Sequence, residues 1–487
     1  MSNRLAASIL RSAWPTTAVD RLLRASLIAD DAAAAAAWRD FEKVADFDRL
    51  SNGEMRLIGV VAKRMRKLEP DSPMRARIGG FERANWARSQ LTIGETARGL
   101  RKLEVAGVEM LLVKGAARAV AADAAARGRT LNDVDVVVGA EQMERAFDIL
   151  TADGWEPAGS GTTLYQRTQL PATMCLNLVR GRFGNFDLHR GAFHSPYNAA
   201  DEDVGVWTRA AGATLGGVAV RVPSPTDSAV IAIAHGALDA HKSSDWLADV
   251  AAAIDAGVDW TLFETIVTRR RLQAPAAVAL GYAAERLERL VPEAPRARLE
   301  AAAFRRPFAL IGALAETRPK SRTPGSFWLA RAVAKQARLL KAPTRGGSAY
   351  HRPLPTLIRQ DEAAGAGVLA VTAPIDIPGR VPGRAWDGFL DVTLLVELPP
   401  VARRLEFELN AGGRHLARLR ASVRASVKAR RFRFRLALTL AACDENPLLT
   451  SAHSRRFNSD APAALLERYA AAPFRLIACR ATGSPRD

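Results

Sequence analysis

The chain is poor in cysteine, aromatic residues, acid and long apolar runs. Three cysteines, Cys175, Cys443 and Cys479, stand in 487 residues. They are odd in number and far apart, which excludes a disulfide framework and a paired zinc motif and predicts a reducing, cytoplasmic setting. No apolar stretch approaches the roughly 20 residues that span a bilayer, so no transmembrane segment is expected. The opening Met1–Leu10 is soon interrupted by Arg11, Asp20, Arg21 and Arg24, a pattern that predicts no secretory signal. Acid is in deficit: 51 Asp and Glu stand against 69 Lys and Arg, a formal charge of +18. Such a balance suits anionic partners (RNA, headgroups, nucleotides) and equally an Arg-rich composition with solvated basic faces, and it says little about fold.

What is abundant is alanine, in runs such as Asp31–Trp38 and Val250–Ala253, and alanine makes helix the default. At 487 residues the chain exceeds one hydrophobic core and divides into domains. Residues 1–100 read as a helical region, with apolar positions at helical spacing through Phe41, Val44, Phe47 and Leu50. A long helix is expected from Phe81 to Ala106, ended by Gly107. Between 101 and 222 the pattern mixes strands and helices. Val108–Val113, Val134–Val138, Leu164–Gln169, Met174–Val179 and Phe186–Leu188 read as strands, and Ala116–Ala126 and Glu141–Asp153 as helices. Residues 223–342 return to helix. After Pro343–Ser348, a linker by composition, residues 343–487 alternate apolar and polar positions, as in Phe432-Arg-Phe-Arg-Leu436. That alternation predicts a β-rich domain.

The chemistry centres on Asp133-Val-Asp135. Residues two apart on a strand share a face, so both carboxylates emerge together while Val134 and Val136 turn to the core. Carboxylates so crowded call for a cation, and hard divalent ions take oxygen ligands of this kind. Asp187, between Phe186 and Leu188, supplies a third carboxylate. Upstream, Leu111-Leu-Val-Lys-Gly115 is a strand running into a helix, a turn suited to phosphate through its backbone N–H groups and Lys114. Arg129, shortly before the acidic pair, is a further phosphate candidate. His189, His194, His235 and His241 flank this region. A metallohydrolase built on Asp187, His189 and His235 is an alternative, weakened by the absence of a His-Glu-x-x-His motif. Asp249 reads as a helix-surface carboxylate.

Together, Leu112-Val-Lys-Gly115, Arg129-Thr-Leu-Asn-Asp-Val-Asp135, Gly154-Trp155 and Phe186-Asp-Leu-His189 resemble the DNA polymerase beta-like nucleotidyltransferase superfamily. More closely, they resemble its bacterial family with Lys-Gly in place of Gly-Ser. The likeness runs from about Phe81 to Leu290, taking in Ala234-His-Gly236, Ser244–Val250 and Asp259-Trp260. Two departures stand: Ala116 follows Gly115 where many members carry serine, and the Gly115-to-Asp133 interval is long. The resemblance implies an α+β nucleotidyltransferase core with helical flanks. It implies that Asp133, Asp135 and Asp187 hold two Mg²⁺ or Mn²⁺ ions, with Lys114, Gly115 and Arg129 on the nucleotide. The implied reaction transfers a nucleoside monophosphate from a nucleoside triphosphate to an unknown hydroxyl acceptor, releasing pyrophosphate.

Two readings compete with it. One is a catalytically silent nucleotide-binding scaffold of the same fold. The other is a basic nucleic-acid-binding protein working through Arg414–Arg435, a stretch with no acid in it. That stretch is either a polyanion contact or a solvated cationic face.

Overall fold

The computed structural model describes residues 3–120, 131–158, 162–194, 197, 202–239, 243–319, 325, 329, 332, 350–351, 370–397, 404–422, 429–451 and 473–486. The molecule is a mixed α/β protein with a β-rich C-terminal region. It forms two compact units: Met1–Gly154 with Met174–Ala342, and Trp155–Thr173 with Pro343–Asp487. Among the described residues no helix is long and apolar enough to cross a membrane.

Among the described residues, six strands of the first unit lie in one mixed sheet: β1 (Leu111–Leu112), β2 (Val134–Val137), β3 (Cys175–Arg180), β4 (Gly184–His189), β5 (Ala211–Leu215) and β6 (Val218–Val222), in the order β3-β4-β2-β1-β6-β5. β2 and β4 run parallel and pair Val134 with Phe186, Asp135 with Asp187, and Val136 with Leu188. Val134, Val136, Phe186 and Leu188 are fully buried, as strand alternation requires of the face opposite the aspartates.

That apolar face receives the helix Arg75–Val105. Its Gly99 lets the backbone approach Phe186 directly: a Cβ there would lie 2.5 Å from Phe186 Cε2 and 3.0 Å from Leu150 Cδ2. A core cluster of the same unit joins Leu111, Val113 and Val137 to the helix Pro225–Asp239 and to the N-terminal helices through Trp38 and Phe41.

The expected helices recur, with ends displaced by a few residues: Met143–Ala152, Trp246–Asp255, Trp260–Arg269 and Gln273–Arg286. The long helix begins earlier than expected, at Arg75. Leu164–Gln169, read as a strand, lies instead in the helix Thr163–Gln169. Thr162 caps that helix by accepting from the Tyr165 N–H, and the buried pair Tyr165 and Gln169 is four residues apart, a helical rather than an alternating period. The hairpin β5–β6 was not anticipated. Its turn is Gly216-Gly217, both left-handed at φ +58° and +77°, the conformation that two-residue hairpin loops demand. Ala121–Ala126, Arg129, His241 and the Pro343–Ser348 linker lie outside the described residues.

Among the described residues, the second unit holds two sheets. Ala385–Val396 is the centre of one, flanked antiparallel by Arg430–Leu440 and Phe474–Arg486. The other orders Tyr350–His351, Arg414–Ser422, Arg404–Ala411, Leu448–Ser451 and Thr372–Pro374. Arg430–Leu440 alternates as read from sequence: Phe432, Phe434, Leu436, Leu438 and Leu440 are buried, and Arg431, Arg433 and Arg435 exposed.

The basic stretch is nevertheless not a uniform cationic face. Glu406 stands opposite Arg420, and Glu408 opposite Arg418, on the neighbouring strand. Arg418 is buried against Glu406 and lies over the Tyr165 ring. Arg420 binds Glu406 at 2.6 Å. Glu408 also accepts from the Thr162 N–H at 2.9 Å and from its hydroxyl. These cross-strand acids are invisible in a segment read alone. Burial and Glu406 therefore remove Arg418 from both the polyanion and the solvated-face reading.

Two stability predictions follow from this packing. Gly99→Ala would ordinarily stabilise a helix interior by up to about 1 kcal/mol. Here the methyl overpacks Phe186, and a net loss of about 1–3 kcal/mol is expected in urea unfolding; a stabilised variant would contradict the close approach. Arg418→Met leaves Glu406 buried with Arg420, and Glu408 buried with the Thr162 N–H and hydroxyl but without the Arg418 charge. It should cost about 3–5 kcal/mol, read as an earlier unfolding transition of the second unit, and an unchanged transition would show the network to be dispensable.

Candidate active site

The site is built on the face of β2 and β4 opposite the long helix. Asp135 and Asp187 are in-register neighbours there. Like charges at such positions repel unless compensated, and Lys114 and His189 lie against them. Lys114 Nζ donates to Asp135 Oδ1 at 2.6 Å. His189 Nε2 lies 3.1 Å from the same oxygen and 3.3 Å from Asp187 Oδ2. Lys114 reaches inward from a left-handed backbone, φ +52°, a conformation that costs a lysine on the order of 1–3 kcal/mol and persists only when its surroundings enforce it. Lys114 is the left-handed residue of this turn, and Gly115 follows inside the helix Lys114–Val120.

The electrostatics follow from counting charges. Burial disfavours ionisation of Asp135, but the Lys114 ammonium and the His189 hydrogen bond outweigh it and hold the carboxyl below its ordinary value. Asp187 is held well below as well: burial opposes, and His189, Lys114 and the Cys175 thiol prevail. Burial likewise works against charge on His189 and Lys114, and the aspartates raise both. Asp133 is the surplus carboxylate. Burial and the charges of Asp135 and Asp187 push it up to about 6, against relief from Lys114 and Arg56.

The surroundings add residues that the sequence reading missed or weighed differently. Cys175, at the start of β3, pairs with His189 across the antiparallel ladder, and its thiol donates to Asp187 Oδ1. Only knowledge of the strand pairing would have found it. Arg56, from the helix Asn52–Leu68, adds positive charge near Asp133 and binds Asp245 at 2.8 Å. His189, His194 and His235 pack ring against ring, with centroids 4.8 to 6.1 Å apart. Burial, then the charges of His189 and Lys114, takes His194 down to about 4. His235 faces the Ala192 carbonyl at 3.2 Å, so it does not join Asp187 and His189 as the metallohydrolase alternative required. Asp249 lines a pocket of about 200 Å³ with Lys114, Arg118, Ser228 and Ile231, closer to the site than a helix-surface carboxylate would be.

Because Asp133 binds its proton more tightly folded than unfolded, it adds stability as pH falls through about 6 and loses it as pH rises. In chelator, Asp133→Asn should therefore melt higher than the parent at about pH 7.5, with the gap closing as pH drops through that window. A gap that does not change with pH would remove the like-charge account.

Residues 40–288, just over half of the chain, match the model of a family described as uncharacterised nucleotidyltransferase. No curated protein and no solved structure matches.

Proposed function

Since the chain belongs to that nucleotidyltransferase family, we propose that the Asp133, Asp135 and Asp187 site transfers a nucleoside monophosphate from a nucleoside triphosphate to a hydroxyl acceptor, releasing pyrophosphate. The observation that carries the reading is the pairing of Asp135 with Asp187 on adjacent parallel strands. The mixed sheet β1–β6 is, in this reading, a polymerase-beta-like core.

The donor set fits a hard divalent cation. Asp135 and Asp187 share one face, and burial with their two charges pushes Asp133 up to about 6 against the relief that Lys114 and Arg56 give. Asp133, Asp135 and Asp187 would hold Mg²⁺ or Mn²⁺ through oxygen, as such ions prefer. Bound there, the ions supply charge stabilisation for displacement at phosphorus.

The chain's own groups have separate tasks. Lys114 supplies a fixed positive charge on Asp135, and its strained backbone keeps that charge aimed at the carboxylates. His189 Nε2 holds a proton between Asp135 and Asp187, fixing the orientation of both. Burial of Val134, Val136, Phe186 and Leu188 keeps the strands from shifting in register. The pocket beside Lys114, apolar along Ile231, Ala232, Ala252 and Ala253 and polar at Ser228 and Asp249, is available to the body of a substrate. Gly115 and Arg129 remain nucleotide-contact proposals from the resemblance.

Calorimetry tests the reading. Nucleoside triphosphate should bind much more tightly with Mg²⁺ or Mn²⁺ than with chelator, and Asp135→Asn should abolish the difference. Equal affinity with and without metal favours the silent scaffold and sinks the reaction proposed.

A further inference from the structure

Among the described residues, Cys175, Asp187 and His189 form a group whose ligand atoms all lie within 4.8 Å of one another. The ladder explains why. Cys175 stands opposite His189 on antiparallel β3 and β4, and Asp187 is two residues from His189 on the same face. The thiol already meets Asp187 Oδ1, while His189 Nε2 meets Asp187 Oδ2 at 3.3 Å. Sulfur, nitrogen and oxygen donors thus converge on both sides of one carboxylate.

We propose that Cys175, Asp187 and His189 form a binding site for a thiophilic divalent cation of the Zn²⁺ class. Mg²⁺ takes oxygen ligands and has little use for sulfur, so the cysteine is foreign to a purely hard-cation site. Zn²⁺ is bound by cysteine, histidine and aspartate together, and three protein ligands leave a fourth position open. Thiolate and imidazole also select Zn²⁺ over harder ions of the same charge. Ligation displaces the Cys175 Sγ proton and the His189 Nε2 proton to solvent, leaving a thiolate and an imidazole that is neutral with its one proton on Nδ1, so no other reactant is required. The site stands whether or not the chain transfers nucleotides. One consequence does rest on the proposed function: Asp187 and His189 cannot serve both sites at once, so the thiophilic ion excludes the metal-bound triphosphate.

Cadmium reports such a site directly, through the ultraviolet charge-transfer band of a metal–thiolate bond. The full-length Cys443→Ser/Cys479→Ser protein retains Cys175 alone and should develop the band, saturating at one equivalent of Cd²⁺. Cys175→Ser, folded by a cooperative melt, should show no such band at that equivalence. In both Cys175→Ser and His189→Gln, Zn²⁺ affinity measured against a chromophoric chelator should fall by well over the roughly 10–100-fold that loss of a supporting hydrogen bond costs. No band in the double variant, or an undiminished one in Cys175→Ser, overturns the site, and the double variant decides the matter if Cys175→Ser does not fold. Triphosphate calorimetry in Mg²⁺ is a separate readout, so failure of the nucleotide reading is distinguishable from failure of this one.

Discussion

Two carboxylates held in register on adjacent parallel strands set the terms for this site. Asp135 and Asp187 repel, and nothing in a β-ladder relieves that repulsion. Relief comes from Lys114 and His189, and each is placed at a cost. Lys114 accepts a left-handed backbone; His189 gives up nearly all contact with solvent. The opposite face of the same strands supplies the compensation. Val134, Val136, Phe186 and Leu188 bury completely, and each fully buried aliphatic or aromatic side chain contributes about 1.5–3 kcal/mol. A strained, charge-crowded face is tolerated because the other face is buried and closely approached, at position 99 by a glycine that leaves no room for a Cβ.

The parts of the site legible in the sequence were those set by short-range periodicity. Asp133 and Asp135 share a face because they are two residues apart, and Asp187 is oriented by its apolar neighbours. Alternation in Phe432–Leu436 was equally plain. What escaped was set by pairing between distant segments. Cys175 enters because of its ladder partner His189, and Arg56 because a helix from the first seventy residues packs into the same unit. Arg418 shows the same limit with a reversed sign. Within its own segment it is one more cation in a basic run; across the ladder it meets Glu408, and beside it Glu406. Local charge counting fails where the compensating charge lies on another strand.

The second unit is more than an appendage after position 342, because it also takes in Trp155–Thr173. That excursion is anchored by specific chemistry inside the unit: Thr162 on Glu408, and Tyr165 beneath Arg418 and against His415. Burial, with Arg418 adding to it, takes His415 down to about 4, so the histidine is neutral among these groups at physiological pH. Cutting the chain at Ala342 would leave the excursion behind without the residues that hold it. The chain leaves this unit at Thr173, two residues before Cys175 begins the strand paired with Asp187. The residues that anchor the excursion are therefore close in sequence to a strand of the site.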